Sequence, residues 1–180
     1  MRLGRSKAVP GSEAGYYHCI PRVVERRFAF GDTEKEHFVK LMRGYEAFCG
    51  VQIITYCVMS NHFHILLKVP RRPDPADLPG DEELIARVKA AGYTQVDHGT
   101  LRQALERFRE AGQHGAAEEL RESLFCRMWD VSWYMKMLKQ RFTQWLNKRE
   151  DRWGHPLGRT LPQRAGGGRR TGACHHGRLH

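Results

Sequence analysis

At 180 residues and 41% hydrophobic content, the chain has the size of one domain and enough apolar side chains to bury a core. Thirty Lys and Arg stand against twenty Asp and Glu, a formal net charge of +10 with a pI near 9.7, which favours a polyanionic partner and nucleic acid above others. Five scattered cysteines without a C-x-x-C pair argue against a disulfide framework or zinc knuckle, and the lack of a signal-peptide centre or an apolar run near ~20 residues points to a cytoplasmic protein with no membrane partner.

Residues 1–15, rich in Gly, Pro, Ser and basic side chains, read as a flexible basic arm. Tyr16 to Ile20 and, after Pro21, Arg22 to Val24 have strand composition, with Pro21 marking an edge or bulge. His18 reads as a structural or exposed strand residue rather than a third metal ligand. Arg22, Arg26 and Arg27, interleaved with Val23, Val24 and Phe28, suit a DNA backbone or a solvated loop. Asp32 or Thr33 is the expected cap of a helix over Lys35 to Phe48, with Phe38, Leu41, Met42, Tyr45 and Phe48 on its core stripe and Gly50 at its end.

Val51 to Val58 and His62 to Val69 form a predicted hairpin around the polar break Ser60-Asn61. Side chains two apart on a strand share a face, so His62 and His64 stand side by side as two imidazole ligands for a divalent cation. Such a pair leaves open positions for water, phosphate oxygens and one more protein ligand. Strand, helix, strand, strand opens an α+β ferredoxin-like sandwich with an antiparallel sheet, helices on one face and a ligand face opposite. Residues 71–83, RRPDPADLPGDEE, form a Pro-rich connection, and the broken helical pattern up to Phe125 predicts an inserted subdomain of two to four short helices. Asp130 or Ser132 opens the last helix, whose apolar stripe is Val131, Tyr134, Leu138, Phe142, Trp145 and Leu146.

The string Y-C-V-M-S-N-H-F-H-I-L-L, with Met59, Asn61, His62, His64, Leu66 and Leu67 in register, resembles the signature of the single-tyrosine HUH transposases, in particular the REP-associated tyrosine transposases. The likeness extends more loosely from about Tyr17 to Gly154. It implies a domain over 16–154, with 71–125 as linker and insertion, that cleaves and rejoins single-stranded or hairpin DNA through a phosphotyrosine. It also implies Mg²⁺ or Mn²⁺ held by His62 and His64, frequent homodimers, and a C-terminal active-site helix of the form L-K-x-x-Y-T-x-x-x-N lying across the sheet near the histidines. Lys139, Arg141, Lys148 and Arg149 on that helix are candidate DNA contacts.

The chain departs from this pattern in two places. Phe142 stands where the tyrosine is expected, and it has no hydroxyl to attack phosphorus. Tyr134, eight residues upstream or about 12 Å along a helix, is the candidate displaced nucleophile. Asn147 is the candidate third metal ligand, because Leu146 occupies the position one turn beyond Phe142. Beyond Gly154 the chain turns Gly- and Arg-rich, and 155–180 reads as an unstructured, frameshifted tail. The competing reading is a DNA-binding relic without chemistry. A histidine-motif nucleotide hydrolase is disfavoured, because Leu66 stands where a third alternating histidine would act.

Overall fold

The structure is a computed structural model that describes residues 14–21, 30–92, 98–150 and 163–165. Arg22, Arg26 and Arg27, and most of the predicted basic arm, lie outside these residues. The first strand, β1 (Ala14–Cys19), starts two residues earlier than predicted and takes in the end of that arm. It is followed by α1 (Asp32–Cys49), β2 (Gln52–Val58), β3 (Phe63–Pro70), α2 (Asp81–Ala90), α3 (His98–Glu110), α4 (His114–Phe125), α5 (Val131–Glu150) and the short β4 (Gln163–Ala165). All pairings are antiparallel, in the order β2-β3-β1-β4.

α1 forms where the apolar period predicts it. Phe38, Met42, Tyr45 and Phe48 are buried, Leu41 is half-buried, and Gly50 closes the helix at φ 62°. Only glycine adopts that left-handed conformation without strain. The start differs from expectation: Gly31 is the cap, Asp32 and Glu34 lie in the first turn, and no side chain among the described residues caps the helix. At α5 the cap is Asp130, whose Oδ1 accepts the Ser132 and Trp133 amides at 2.6 and 3.1 Å.

The predicted hairpin is present. Met59 N–H donates to the His62 carbonyl at 2.9 Å, closing a loop around Ser60 and Asn61. Along β3, Phe63, Ile65, Leu67 and Val69 are buried, whereas His64, Leu66, Lys68 and Pro70 are half-buried. Strand side chains alternate between faces, so the sheet has a helix-covered side and an open side. On β1, Tyr17 and Cys19 join the covered side and Tyr16 and His18 the open one. Phe30, Phe38, Phe63 and Phe142 meet face-to-face, edge-on or tilted on the covered side and lock α1 and α5 onto it.

Residues 81–125 supply the three helices α2, α3 and α4. Leu84, Val88, Leu101, Leu105, Leu124 and Phe125 belong to the same buried cluster as the sheet, so the insertion extends the core rather than forming a second one. Its surface is laced by ion pairs. Asp81 meets Arg109 and Arg121, Glu82 meets Arg102, and Glu122 takes Arg72 in a two-pronged pair at 2.8 and 2.5 Å. Gln163–Ala165 pairs with Tyr16 to His18 of β1, where the sequence reading expected only an unstructured tail.

Candidate metal and nucleic-acid site

His62 and His64 flank Phe63 at the mouth of the hairpin. Phe63 points down onto Phe38, with ring centroids 4.3 Å apart, and this anchor turns both imidazoles onto the open face. Their ring centroids are 5.2 Å apart. The register pairs His18 with Leu66 and Ile65 with Cys19, which puts His18 diagonal to His64 on the same face. Its Nε2 lies 3.0 Å from His64 Nδ1. On the other side, His62 Nδ1 lies 2.7 Å from Asn61 Oδ1. Three imidazoles and an amide therefore form a connected polar cluster at one end of the open face.

Burial and the neighbouring rings of His18 and His62 lower the pKa of His64 below 6.5, which favours the neutral, lone-pair-bearing imidazole. Each of His62 and His64 has its Nδ1 engaged, and neither Nε2 has a hydrogen-bond partner among the described residues. Two half-exposed imidazoles with free Nε2 atoms fit a divalent cation as a two-ligand, open site. No group of three or more His, Cys, Asp or Glu among the described residues is arranged to hold one. Further ligands would have to be water or phosphate oxygen.

The open face continues as a surface suited to a nucleic-acid strand. Tyr16 is 46% exposed and pairs across the strands with Lys68. Leu66 lies between Lys68 and His64, and the exposed Cys57 sits opposite His64 on β2. An exposed ring can stack on a base while an ammonium and imidazoles meet the backbone. Sequence reading did not single out Tyr16, Lys68 or the His18 contact. The signal was the two-residue alternation of Tyr16-His18 and of His64-Leu66-Lys68, legible only once the register of β1 against β3 is known.

The α5 residues are placed elsewhere. Phe142 is fully buried against Phe30 and Phe38, beneath the sheet and on the side away from the histidines. Tyr134 is also fully buried. Its hydroxyl donates to the Met42 carbonyl at 3.4 Å, and burial first, then Glu46, raises its phenol well above 10. In this arrangement Tyr134, the expected displaced nucleophile, is a core residue on the covered side. Asn147 is half-buried on the turn where Trp145 stacks on His37 at 4.0 Å and Arg149 pairs with Glu34 at 2.5 Å.

Of the basic α5 candidates, Lys148 is exposed, Arg141 is half-buried, and Arg149 is committed to Glu34 and the Trp145 ring. Lys139 is half-buried, and burial lowers its ammonium below 10.5, partly countered by Cys19 on the covered face. All four lie on the helix layer. The structure does not bring them to the histidine face.

An antiparallel sheet with one side under helices and the other carrying paired imidazoles beside a hairpin defines an α+β domain with an open, metal-capable face. Residues 12–80 match the family described as Transposase IS200 like, so this stretch of the chain is similar to the single-tyrosine HUH transposases. The matched stretch holds β1, α1, β2, β3 and the histidine pair, and ends before α2 and α5. That family is one of DNA transposition and acts on DNA. No curated protein matches the chain significantly.

Proposed function

We propose that this protein binds single-stranded or hairpin DNA across the open face of a ferredoxin-like sheet, with Mg²⁺ or Mn²⁺ held by His62 and His64, and that α5 supplies no nucleophile to that face. The strand order β2-β3-β1-β4, with α1 and α5 on one side, supports the ferredoxin-like assignment. The observation that carries the functional reading is a separation. The imidazoles stand on the open face, while Phe142 and Tyr134 are buried on the covered one.

Bound there, the cation supplies Lewis-acid polarisation of phosphate oxygens. The chain's own residues do the rest: His62 and His64 fix the position, Tyr16 offers a stacking surface, and Lys68 faces the backbone. The net charge of +10 adds long-range attraction for a polyanion. A homodimer does not restore cleavage through α5, because the second copy brings the same Phe142 and the same buried Tyr134. The reading is therefore a DNA-binding relic of a transposase, with a cytoplasmic location; no described helix is long and apolar enough to cross a membrane.

The test is fluorescence anisotropy of a labelled single strand from a hairpin, in Mn²⁺ and in EDTA, with the wild-type chain and the double variant His62→Ala/His64→Ala. Mn²⁺ should tighten binding in the wild type and have no effect on the variant. Equal affinity in all four conditions would remove the histidines from the binding site.

A further inference from the structure

The His18–His64 contact is not explained by ligation or by core packing. His18 is half-exposed on β1, and among the described residues its Nε2 has one partner, His64 Nδ1 at 3.0 Å. Two neutral imidazoles can share only one proton in such a contact, so one ring donates and the other accepts. On the far side of the pair the direction is fixed. Asn61 Oδ1 can only accept, so His62 Nδ1 donates to it and His62 Nε2 keeps its lone pair.

We propose that His18 is a positioning residue that, together with Asn61, sets the tautomer of the histidine pair: His64 donates its Nδ1–H to His18 Nε2, as His62 does to Asn61, and both Nε2 lone pairs are left for a divalent cation. The opposite direction would put the proton on His64 Nε2 and block the atom that the pair must offer. A ligating histidine is ordinarily oriented by a hydrogen bond from its other ring nitrogen, and removing that partner weakens metal binding about 10- to 100-fold. Asn61 and His18 are placed to play that part from the two sides of the pair, one from the hairpin loop and one from the neighbouring strand.

The same contact accounts for the position of His18 in the fold. The β1–β3 register that pairs His18 with Leu66 brings its ring diagonally over His64, and the ring centroids stand 5.2 Å apart with planes tilted by 31°. A one-residue slip would turn His18 into the core and Cys19 onto the open face. Buried Tyr17 and Cys19 on either side hold the register. The site is thus built from two strands that are far apart in sequence, and its geometry depends on their pairing.

This inference rests on the metal reading above, and the test separates the two. In the metal-free full chain, long-range ¹⁵N–¹H correlation spectra report which nitrogen of each histidine carries the proton. His64 should be the Nδ1–H form in the wild type and a mixture in His18→Leu. Mn²⁺ titration followed by electron paramagnetic resonance should show binding about 10-fold weaker in His18→Leu. His18→Gln, whose side-chain oxygen can reach the place of Nε2 and accept the same proton, should recover most of it, with the three proteins melting alike. With Zn²⁺ as a diamagnetic probe, Nε2 of His62 and His64 should shift and the His18 nitrogens should not. A proton on His64 Nε2 in the wild type, unchanged Mn²⁺ affinity in His18→Leu, or a Zn²⁺ shift at His18 would each overturn the proposal. A wild-type chain that binds no Mn²⁺ while His64 remains Nδ1–H would instead sink the metal reading, with the orienting contact still standing.

Discussion

The ring of Phe142 lies parallel to that of Phe30, with centroids 4.8 Å apart and planes at 7°. The residue that the resemblance sets in the nucleophile's place is thus one half of a buried aromatic stack. Restoring the tyrosine should not restore chemistry. Phe142→Tyr adds a hydroxyl to a fully buried ring, and a hydroxyl left without a partner costs about 1–3 kcal/mol. The expected result is a lower melting temperature and no covalent protein–DNA species, read by thermal denaturation and denaturing electrophoresis.

Tyr134→Phe should be nearly silent. The hydrogen bond to the Met42 carbonyl is 3.4 Å long, well beyond the usual O–H···O distance, so its loss should cost under about 1 kcal/mol. Single-strand affinity should be unchanged within error. A loss of binding with the fold intact would show that Tyr134 reaches the DNA face in solution.

Asp81 holds α2 to α3 and α4 through Arg109 and Arg121. The hydrogen bond from Arg109, set against a smaller opposing effect of burial, holds its carboxyl below the ordinary 3.8. A depressed carboxylate contributes stability that is fully present above its unfolded pKa and lost as pH falls through the folded one. The melting temperature should therefore drop more steeply with acid below about pH 4 in the wild type than in Asp81→Asn, which should be less stable at neutral pH. Parallel curves for the two proteins would remove Asp81 from the account.

Gly44 sits where α1 meets the end of α2. A Cβ built on it would stand 2.5 Å from the Ala90 carbonyl oxygen, a backbone atom that cannot rotate aside. Gly44→Ala gains about 1 kcal/mol of helix propensity but forces the helices apart, and overpacking of this kind costs about 1–3 kcal/mol. A net loss of stability is expected in denaturant unfolding. A gain would mean that the α1–α2 contact is looser than described.

The elements with local signals were legible in the sequence. Phe38 to Phe48 repeat at helical spacing and Gly50 can turn left-handed, so α1 was predicted close to its full length. Asp130 could be recognised as a cap, and Ser60-Asn61 as a hairpin turn beside the histidines. What was hidden depends on pairing between distant segments. The stripe on α5 shows that the helix packs but not on which sheet face, so the resemblance led to an expectation near the histidines while Phe30 and Phe38 hold it on the other side. His18 looked like an ordinary strand residue because its partner lies 46 positions away. Gln163–Ala165 has no apolar period of its own and is defined as a strand only by β1 beside it.

The central claim is that the histidine face binds DNA while α5 offers it no nucleophile. The most direct measurement incubates the purified chain with labelled single-stranded DNA from its own flanking region and Mn²⁺, then divides the sample between native and denaturing gels. The account predicts a native shift that is weakened in His62→Ala/His64→Ala and no band that survives denaturation. A denaturation-resistant protein–DNA band lost in Tyr134→Phe would contradict it, because Tyr134 would then have to leave the core and act on the open face.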